Sequence, residues 1–348
     1  MNSGNVLHRD INGQITAILN SARVRGVWQF ELEKTLNFSK SHISESLRKL
    51  EDQGRIVRRR EGGKVIRVWL TRYYPYPIKN VMRIWMLRAY EYLPMLHSVF
   101  SVFERAGYRI KIYPGNSGEE ISTALSSGYA DLAFLPTVTS IILSYSSNDI
   151  VILSGIASGC SGILKNSFSA NEAVATTNAS SMYALTNLRF SQKDVSIRAF
   201  NRVLPVMKEF LSGKLKYIAL WEPYFSRCLS ETGIEIDSTY SDLMDTIPCC
   251  AACTNSTFLK SAGSLIDSLL SEYAGMNMKS LTYILNSSLF RRICKMVFDE
   301  KLLKAIPFDQ SAMKCFPFNG DLRKSIELLI DRLGIPIDPH IASRHIYR

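Results

Sequence analysis

Three cysteines lie close together in the second half of the chain. Cys249, Cys250 and Cys253 belong to the run PCCAACTNSTFL at 248–259. Neighbouring thiols can bind a soft metal ion or form a redox pair, so both chemistries are open to this run. A zinc site needs two more ligands, and no second cysteine pair or histidine pair is near in the sequence. We therefore favour a strand of small buried residues and expect no metal and no cofactor.

Catalytic patterns are missing from the sequence. The chain of 348 residues has five histidines, and none has the spacing of a Ser-His-Asp triad or of a metal site. No phosphate-binding or dinucleotide-binding glycine pattern occurs. We expect the chain not to be an enzyme.

Positive charge is concentrated near the N-terminus. Residues 1–80 hold 15 Lys+Arg and 7 Asp+Glu, which is +8 of the chain's net +11. Within 39–70, Ser39 can cap a helix with one apolar stripe, and Gly54 can end it. Two alternating runs separated by Glu61-Gly62-Gly63 then predict a basic hairpin.

A helix followed by a basic hairpin is typical of a winged helix-turn-helix, and two shorter helices are predicted before it. Residues 1–72 resemble a MarR-type winged helix. The alternative is a solvated charged helix and hairpin in an enzyme. A winged helix would contact DNA through its recognition helix and its hairpin. The expected DNA-binding residues are Ser39, Lys40, Ser41, His42, Ser44, Arg48, Arg58, Arg59, Arg60 and Lys64.

The composition changes after the hairpin. The segment TRYYPYPIKN carries two prolines and three tyrosines, which predicts a stiff linker, placed at 73–82. From 83 to 348, strand-like and helix-like runs alternate, which predicts an α/β sheet domain built from crossover units. Small and polar residues collect after the strands, where ligands bind in such sheets.

Two motifs in this second domain resemble a known fold. NSGEEISTALSSGYADLAFLP and FLSGKLKYIALWEPY are similar to type 2 periplasmic-binding-protein domains, in the branch that binds alkanesulfonates and thiamine-pyrimidine precursors. The resemblance implies two α/β lobes that close on a small molecule. Lobe one would comprise about 83–158 and 246–348, and lobe two about 159–245.

The resemblance also implies which residues face the ligand. Trp221 and Tyr224 would suit a flat ring, although both could simply pack lobe two, and Glu222 could instead hold the hinge. The expected ligand-binding residues are Tyr90, Glu91, Asn116, Thr137, Ser158, Asn178, Ser180, Trp221, Glu222 and Tyr224.

Together these features predict a ligand-responsive transcriptional regulator. It would bind double-stranded DNA as a homodimer and sense a thiamine-pathway pyrimidine or an organic sulfonate. The polar N-terminus and the absence of a long apolar run predict a cytoplasmic location, no membrane contact and reduced thiols.

Two alternatives remain open. One is a pyrimidine-synthase-like enzyme with a regulatory head, but the resemblance implies a histidine where Thr139 stands, so its catalytic set is incomplete. The other is the solute-binding component of a transporter, which the basic head and the missing export signal disfavour.

Overall fold

The computed structural model describes residues 10–178, 180–192, 195–244, 247–276, 278–298, 300–305, 316–318 and 320–347. The chain divides into two compact units. The smaller unit ends at Pro77 and includes Ser127–Tyr129, and the larger unit contains Ile78–Ser126 and the chain from Ala130 onward. Within the described residues, no helix is both long and apolar enough to cross a membrane.

The smaller unit has three helices and a three-stranded antiparallel sheet in the order β1-β3-β2. Its elements are α1 (Ile11–Ala22), β1 (Val27–Trp28), α2 (Gln29–Thr35), α3 (Lys40–Asp52), β2 (Ile56–Glu61) and β3 (Val65–Leu70).

The predicted helix and hairpin are confirmed as elements of this unit. The Ser39 side chain caps α3 by accepting a hydrogen bond from the His42 backbone N–H at 3.3 Å. The apolar stripe of α3 is buried, which fixes the helix against α1 and β2. Gly54 takes a φ of +65°, a conformation that glycine adopts without strain as the chain leaves the helix.

The first sheet of the larger unit has six strands in the order β14-β7-β13-β6-β4-β5. Strand β4 pairs in parallel with β5 and β6, whereas β13 is antiparallel to β6 and β7. The chain enters this lobe through β4 (Val81–Met86), α4 (Leu93–Arg105), β5 (Arg109–Pro114), α5 (Gly118–Ser126), β6 (Leu132–Pro136), α6 (Thr137–Ser146) and β7 (Ile150–Ser158).

The second sheet has five strands in the order β10-β9-β11-β8-β12. Its central strand β11 is parallel to β9 and antiparallel to β8. The elements of this second lobe are β8 (Ser161–Asn166), β9 (Ala173–Thr177), α7 (Ser181–Phe190), β10 (Ser196–Phe200), α8 (Val203–Leu211), β11 (Tyr217–Trp221), α9 (Tyr224–Leu229), β12 (Ile234–Thr239) and α10 (Tyr240–Met244).

The chain then returns to the first lobe. Strand β13 enters the middle of the six-stranded sheet, and α11 and α13 pack against α4. The remaining elements are β13 (Cys250–Asn255), α11 (Ser256–Ala274), α12 (Met278–Asn286), α13 (Ser288–Val297), α14 (Glu300–Ala305), β14 (Phe316–Pro317), α15 (Leu322–Leu333) and α16 (Pro339–Arg344).

Every residue of β4 is buried, including Arg83, because helices cover the sheet. The Arg83 guanidinium donates to both carboxylate oxygens of Asp131, at 2.9 Å and 2.8 Å, and Asp131 is equally buried. This pair joins β4 to the loop before β6.

One sequence expectation is wrong here: Cys160 is disulfide-bonded, so the thiols are not all reduced.

Candidate ligand-binding site

The two lobes of the larger unit meet along a cleft, and three hydrogen bonds join them there. The Trp221 indole N–H donates to the Arg88 carbonyl at 3.1 Å, and the Tyr90 backbone N–H donates to the Glu222 carbonyl at 3.0 Å. At the inner end, the Ser181 hydroxyl donates to the Cys249 carbonyl at 2.5 Å. The cleft is therefore narrow at its inner end, and its ligand space lies on either side of Trp221.

The outer part of the cleft is a cavity of about 430 Å³. The loops after β4 and β5 line one side, and the loop before α8, the start of α8 and the end of β11 line the other. Arg88 is half-buried and Arg202 is exposed, and none of the described residues that line the cavity is acidic. The two arginines in this lining favour an anionic group in the cavity.

An aromatic wall lies beside these arginines. Trp221 and Tyr224 are both buried, and their ring centroids are 5.6 Å apart with the planes nearly perpendicular. Asn116 is held at the mouth, because its backbone and side-chain N–H groups donate to the Glu120 carboxylate. Charge and apolar surface in one cavity suit a small molecule with an anionic group and a short apolar body.

The inner part of the cleft is much smaller, about 20 Å³. Glu91 lies there with only 3% of its surface exposed, and burial raises the pKa of its carboxyl to about 8. One of its oxygens, Oε1, is 3.5 Å from the Cys250 sulfur. The Tyr92 hydroxyl donates to the same sulfur at 3.3 Å. The inner cavity therefore combines a carboxyl group with thiols.

Half of the predicted ligand-binding residues line the cleft. Asn116, Trp221 and Tyr224 line the outer cavity, and Glu91, Ser180 and Trp221 line the inner one. Ser180 also caps α7, since its hydroxyl accepts from the Tyr183 backbone N–H at 3.0 Å.

The other five predicted residues lie elsewhere. The Tyr90 ring packs against Phe290 on α13, and the Thr137 hydroxyl donates to the Pro248 carbonyl at 2.6 Å. Neither residue lines either cavity. Glu222 accepts hydrogen bonds from Ser226 and lines a separate pocket. Ser158, which ends β7, and the exposed Asn178 line neither cavity.

Sequence reasoning missed the two arginines. Both follow the ends of parallel strands, Arg88 after β4 and Arg202 after β10, so the strand-end rule could have found them. It also grouped Cys253 with Cys249 and Cys250. Cys249 and Cys250 line the inner cavity with Glu91, whereas Cys253 does not line it.

In the smaller unit, the residues predicted to contact DNA are exposed, apart from Arg58. Arg58 is half-buried and ion-paired with Glu51, and Arg59 lies 4.9 Å from the centre of the Tyr76 ring. The exposed residues are Ser39, Lys40, Ser41, His42, Ser44, Arg48, Arg59, Arg60 and Lys64.

No family model and no curated protein matches the chain. Solved structures do. The alkanesulfonate-binding protein SsuA from Xanthomonas axonopodis pv. citri, bound to MOPS, is 15% identical, with a TM-score of 0.54 over 78% of this chain and 99% of its own. The ligand-binding component of an ABC-type import system from Staphylococcus aureus has a TM-score of 0.58 at 13% identity, over 76% and 98%. The periplasmic nitrate-binding protein NrtA from Synechocystis PCC 6803 has a TM-score of 0.56 at 11% identity, over 78% and 86%.

The likeness shows a mixed α/β, two-lobed fold like that of periplasmic binding proteins, as the two sequence motifs predicted. The similar structures include alkanesulfonate-, sulphonate- and nitrate-binding proteins.

The comparison contradicts three expectations: the transcriptional regulator, its double-stranded DNA partner and the cytoplasmic location. The similar structures are small-molecule-binding proteins. One is the ligand-binding component of an import system, and the nitrate-binding protein NrtA is periplasmic. The sequence pattern of a basic helix and hairpin predicts these secondary-structure elements, but it does not predict which molecule they bind. We expected a homodimer only because DNA-binding heads commonly pair across two half-sites. Without the DNA partner, this expectation has no support.

Proposed function

We propose that the chain is a solute-binding protein that holds a small organic anion between the two lobes of its larger unit. The observation that carries this proposal is the outer cavity, which Arg88 and Arg202 line together with Trp221 and Tyr224. Two of the similar structures are an alkanesulfonate-binding and a nitrate-binding protein, which supports an anion. By the same likeness we propose that the protein serves an import system outside the cytoplasm.

For the smaller unit we propose only a fold, a winged helix-turn-helix arrangement. Three helices followed by the β2–β3 hairpin, with β1 completing the sheet, support it. An experimental structure of this unit would test the arrangement, and a different order of helices or strands would refute it.

A thermal-shift screen of the purified full chain tests the anion site. The panel is MOPS, ethanesulfonate, nitrate and, as a cationic comparison, ethylammonium. A ligand that binds only the native state stabilises it by about 2.7 kcal/mol when present at 100 times its Kd. We expect a concentration-dependent rise in Tm with at least one anion and none with ethylammonium.

Two arginine variants make the screen specific. Arg202→Ala removes a guanidinium that lines the cavity, whereas Arg198→Ala removes an exposed guanidinium from the neighbouring β10 that does not line it. The shift should be lost in the first variant and kept in the second. Equal shifts in both variants, or a larger shift with the cation, would overturn the proposal.

A further inference from the structure

A second site lies at the inner end of the cleft, separate from the arginines of the outer cavity. Glu91, Cys249 and Cys250 each direct one metal-binding atom to a common point, and these three atoms lie within 4.8 Å of one another. All three residues are buried. We propose that they bind a soft divalent cation of the zinc class through one carboxylate oxygen and two thiolate sulfurs.

The carboxylate is the strongest sign that a cation belongs there. Glu91 Oε2 is buried and, among the described residues, has no hydrogen-bond partner. A buried polar atom without a partner is costly, so a protein rarely keeps one without a use. A cation bound to this oxygen would supply the missing interaction.

The two thiols reach the same cavity although they are consecutive in sequence. Consecutive residues of a regular strand point to opposite faces. Here Cys249 precedes β13, and the pairing of β13 with β7 shifts register between Cys250 and Ala251. Such an irregularity re-aims a side chain, and both cysteines line the inner cavity.

The backbone around these three donors is fixed by hydrogen bonds. The Cys249 N–H donates to the Ala157 carbonyl at 2.8 Å, and the Cys249 carbonyl accepts from the Thr137 N–H at 3.0 Å. Cys250 is paired with strands on both sides. Because the backbone is held before any ion arrives, little conformational entropy is lost on binding.

The donor set favours zinc over harder ions. Two sulfurs and one oxygen suit a tetrahedral d¹⁰ ion, with bonds of about 2.3 Å to sulfur and about 2.0–2.2 Å to oxygen. Binding displaces the protons of both thiols and of the Glu91 carboxyl to solvent, which leaves three anionic ligands around a doubly charged ion. The inner cavity of about 20 Å³ is close to the size of one water-sized sphere, which is the space that the ion itself would take.

A titration of the chelator-stripped full chain tests this site, with Co²⁺ as a spectroscopic probe and Zn²⁺ measured by competition with a coloured chelator. We expect one equivalent of metal per chain and a thiolate-to-cobalt charge-transfer band that Zn²⁺ removes. Binding of less than half an equivalent, or a cobalt spectrum without the thiolate band, would overturn the proposal.

Four variants locate the ligands. Metal affinity should fall about tenfold or more in each of three variants: Cys249→Ser, Cys250→Ser and the isosteric Glu91→Gln. Even mutating a residue that only hydrogen-bonds to a metal ligand typically lowers metal affinity roughly 10–100-fold. Cys253→Ser is the matched control, because Cys253 is equally buried on β13 but lies outside the cluster. It should bind metal like the parent. Loss of binding in Cys253→Ser, or its retention in Glu91→Gln, would refute the assignment.

Failure of this site can be told apart from failure of the proposed function. Anion binding at Arg202 is measured on the same metal-free protein. An unchanged anion affinity in Glu91→Gln and Cys250→Ser shows that these variants are folded, so their loss of metal would report the cluster itself. Loss of anion binding together with metal binding would mean that the variants disrupt the cleft, and the assignment would then fail.

Discussion

Replacing Asp131 with Asn tests whether the buried ion pair holds the first lobe together. Asp131 Oδ2 accepts from the Arg83 backbone N–H and Nε at 2.8 Å and 2.9 Å, and Oδ1 accepts from a terminal guanidinium nitrogen at 2.8 Å. Asn keeps the shape but has one acceptor oxygen and no charge. Its amide nitrogen must then face a donor of the guanidinium.

The expected loss is large because water cannot compensate. The exposed fractions of the two side chains are 0% and 1%, so the guanidinium loses its carboxylate without gaining solvent. Removing one partner of such a pair costs about 3–5 kcal/mol. Asp131→Asn should lower the free energy of unfolding by that amount.

Urea unfolding followed by circular dichroism measures this difference, with the midpoint and slope giving the free energy. The matched control is Glu272→Gln, which breaks the exposed pair with Arg105, whose side chain is 71% exposed. Exposed pairs are worth about 0–1 kcal/mol. If Asp131→Asn costs no more than Glu272→Gln, the reasoning about this buried pair is wrong.

Three further changes probe the second lobe and the pH response. Ser180→Ala removes the cap of α7 and should cost about 1 kcal/mol in urea unfolding, with Ser180→Thr as the capping control. Gly162→Ala places a Cβ 2.5 Å from the Ser238 carbonyl oxygen, so β8 and β12 must separate, at about 1–3 kcal/mol. Burial lowers the pKa of His97 below its ordinary 6.5, so below pH 6.5 the unfolded chain takes up a proton that the native state resists. Stability should therefore fall with pH from 6.5 downward, and His97→Gln should flatten that fall when the midpoints are compared between pH 7 and 5.

Each of these predictions has a contradicting result. Equal stability of the Ala and Thr variants at Ser180 would show that the cap is unimportant. An unchanged midpoint for Gly162→Ala would mean that the two strands part without cost. Parallel pH profiles for the parent and His97→Gln would remove His97 as the source of the acid response.

The sequence contained most of the fold because local patterns fix local elements. The apolar stripe of α3 and the glycine turn after β2 need no distant partner, and both are present in the structure. Strand order is a different matter. The placement of β13 between β6 and β7 joins segments roughly a hundred residues apart. The resemblance to a known fold suggested only that the chain returns to this lobe.

The site was harder to predict for the same reason. Trp221 and Tyr224 were found through one motif, but Arg88 and Arg202 line one cavity only when the lobes meet. Spacing also suggested Cys253 as a partner of Cys250, whereas folding brings Glu91 to that thiol instead. The function was predicted wrongly because positive charge on the surface of the smaller unit was taken as evidence that this unit binds DNA.

The central claim is that the outer cavity binds an anionic solute through its guanidinium groups. Isothermal titration calorimetry of the purified full chain with the best anion of the thermal-shift panel tests it most directly. We predict saturable binding of one ligand per chain. Arg202→Ala should weaken this binding about tenfold or more, because a hydrogen bond to a charged group is worth about 1.5–3 kcal/mol. Arg198→Ala should leave the affinity unchanged. Binding of equal strength in both variants, or no saturable heat with any anion of the panel, would contradict it.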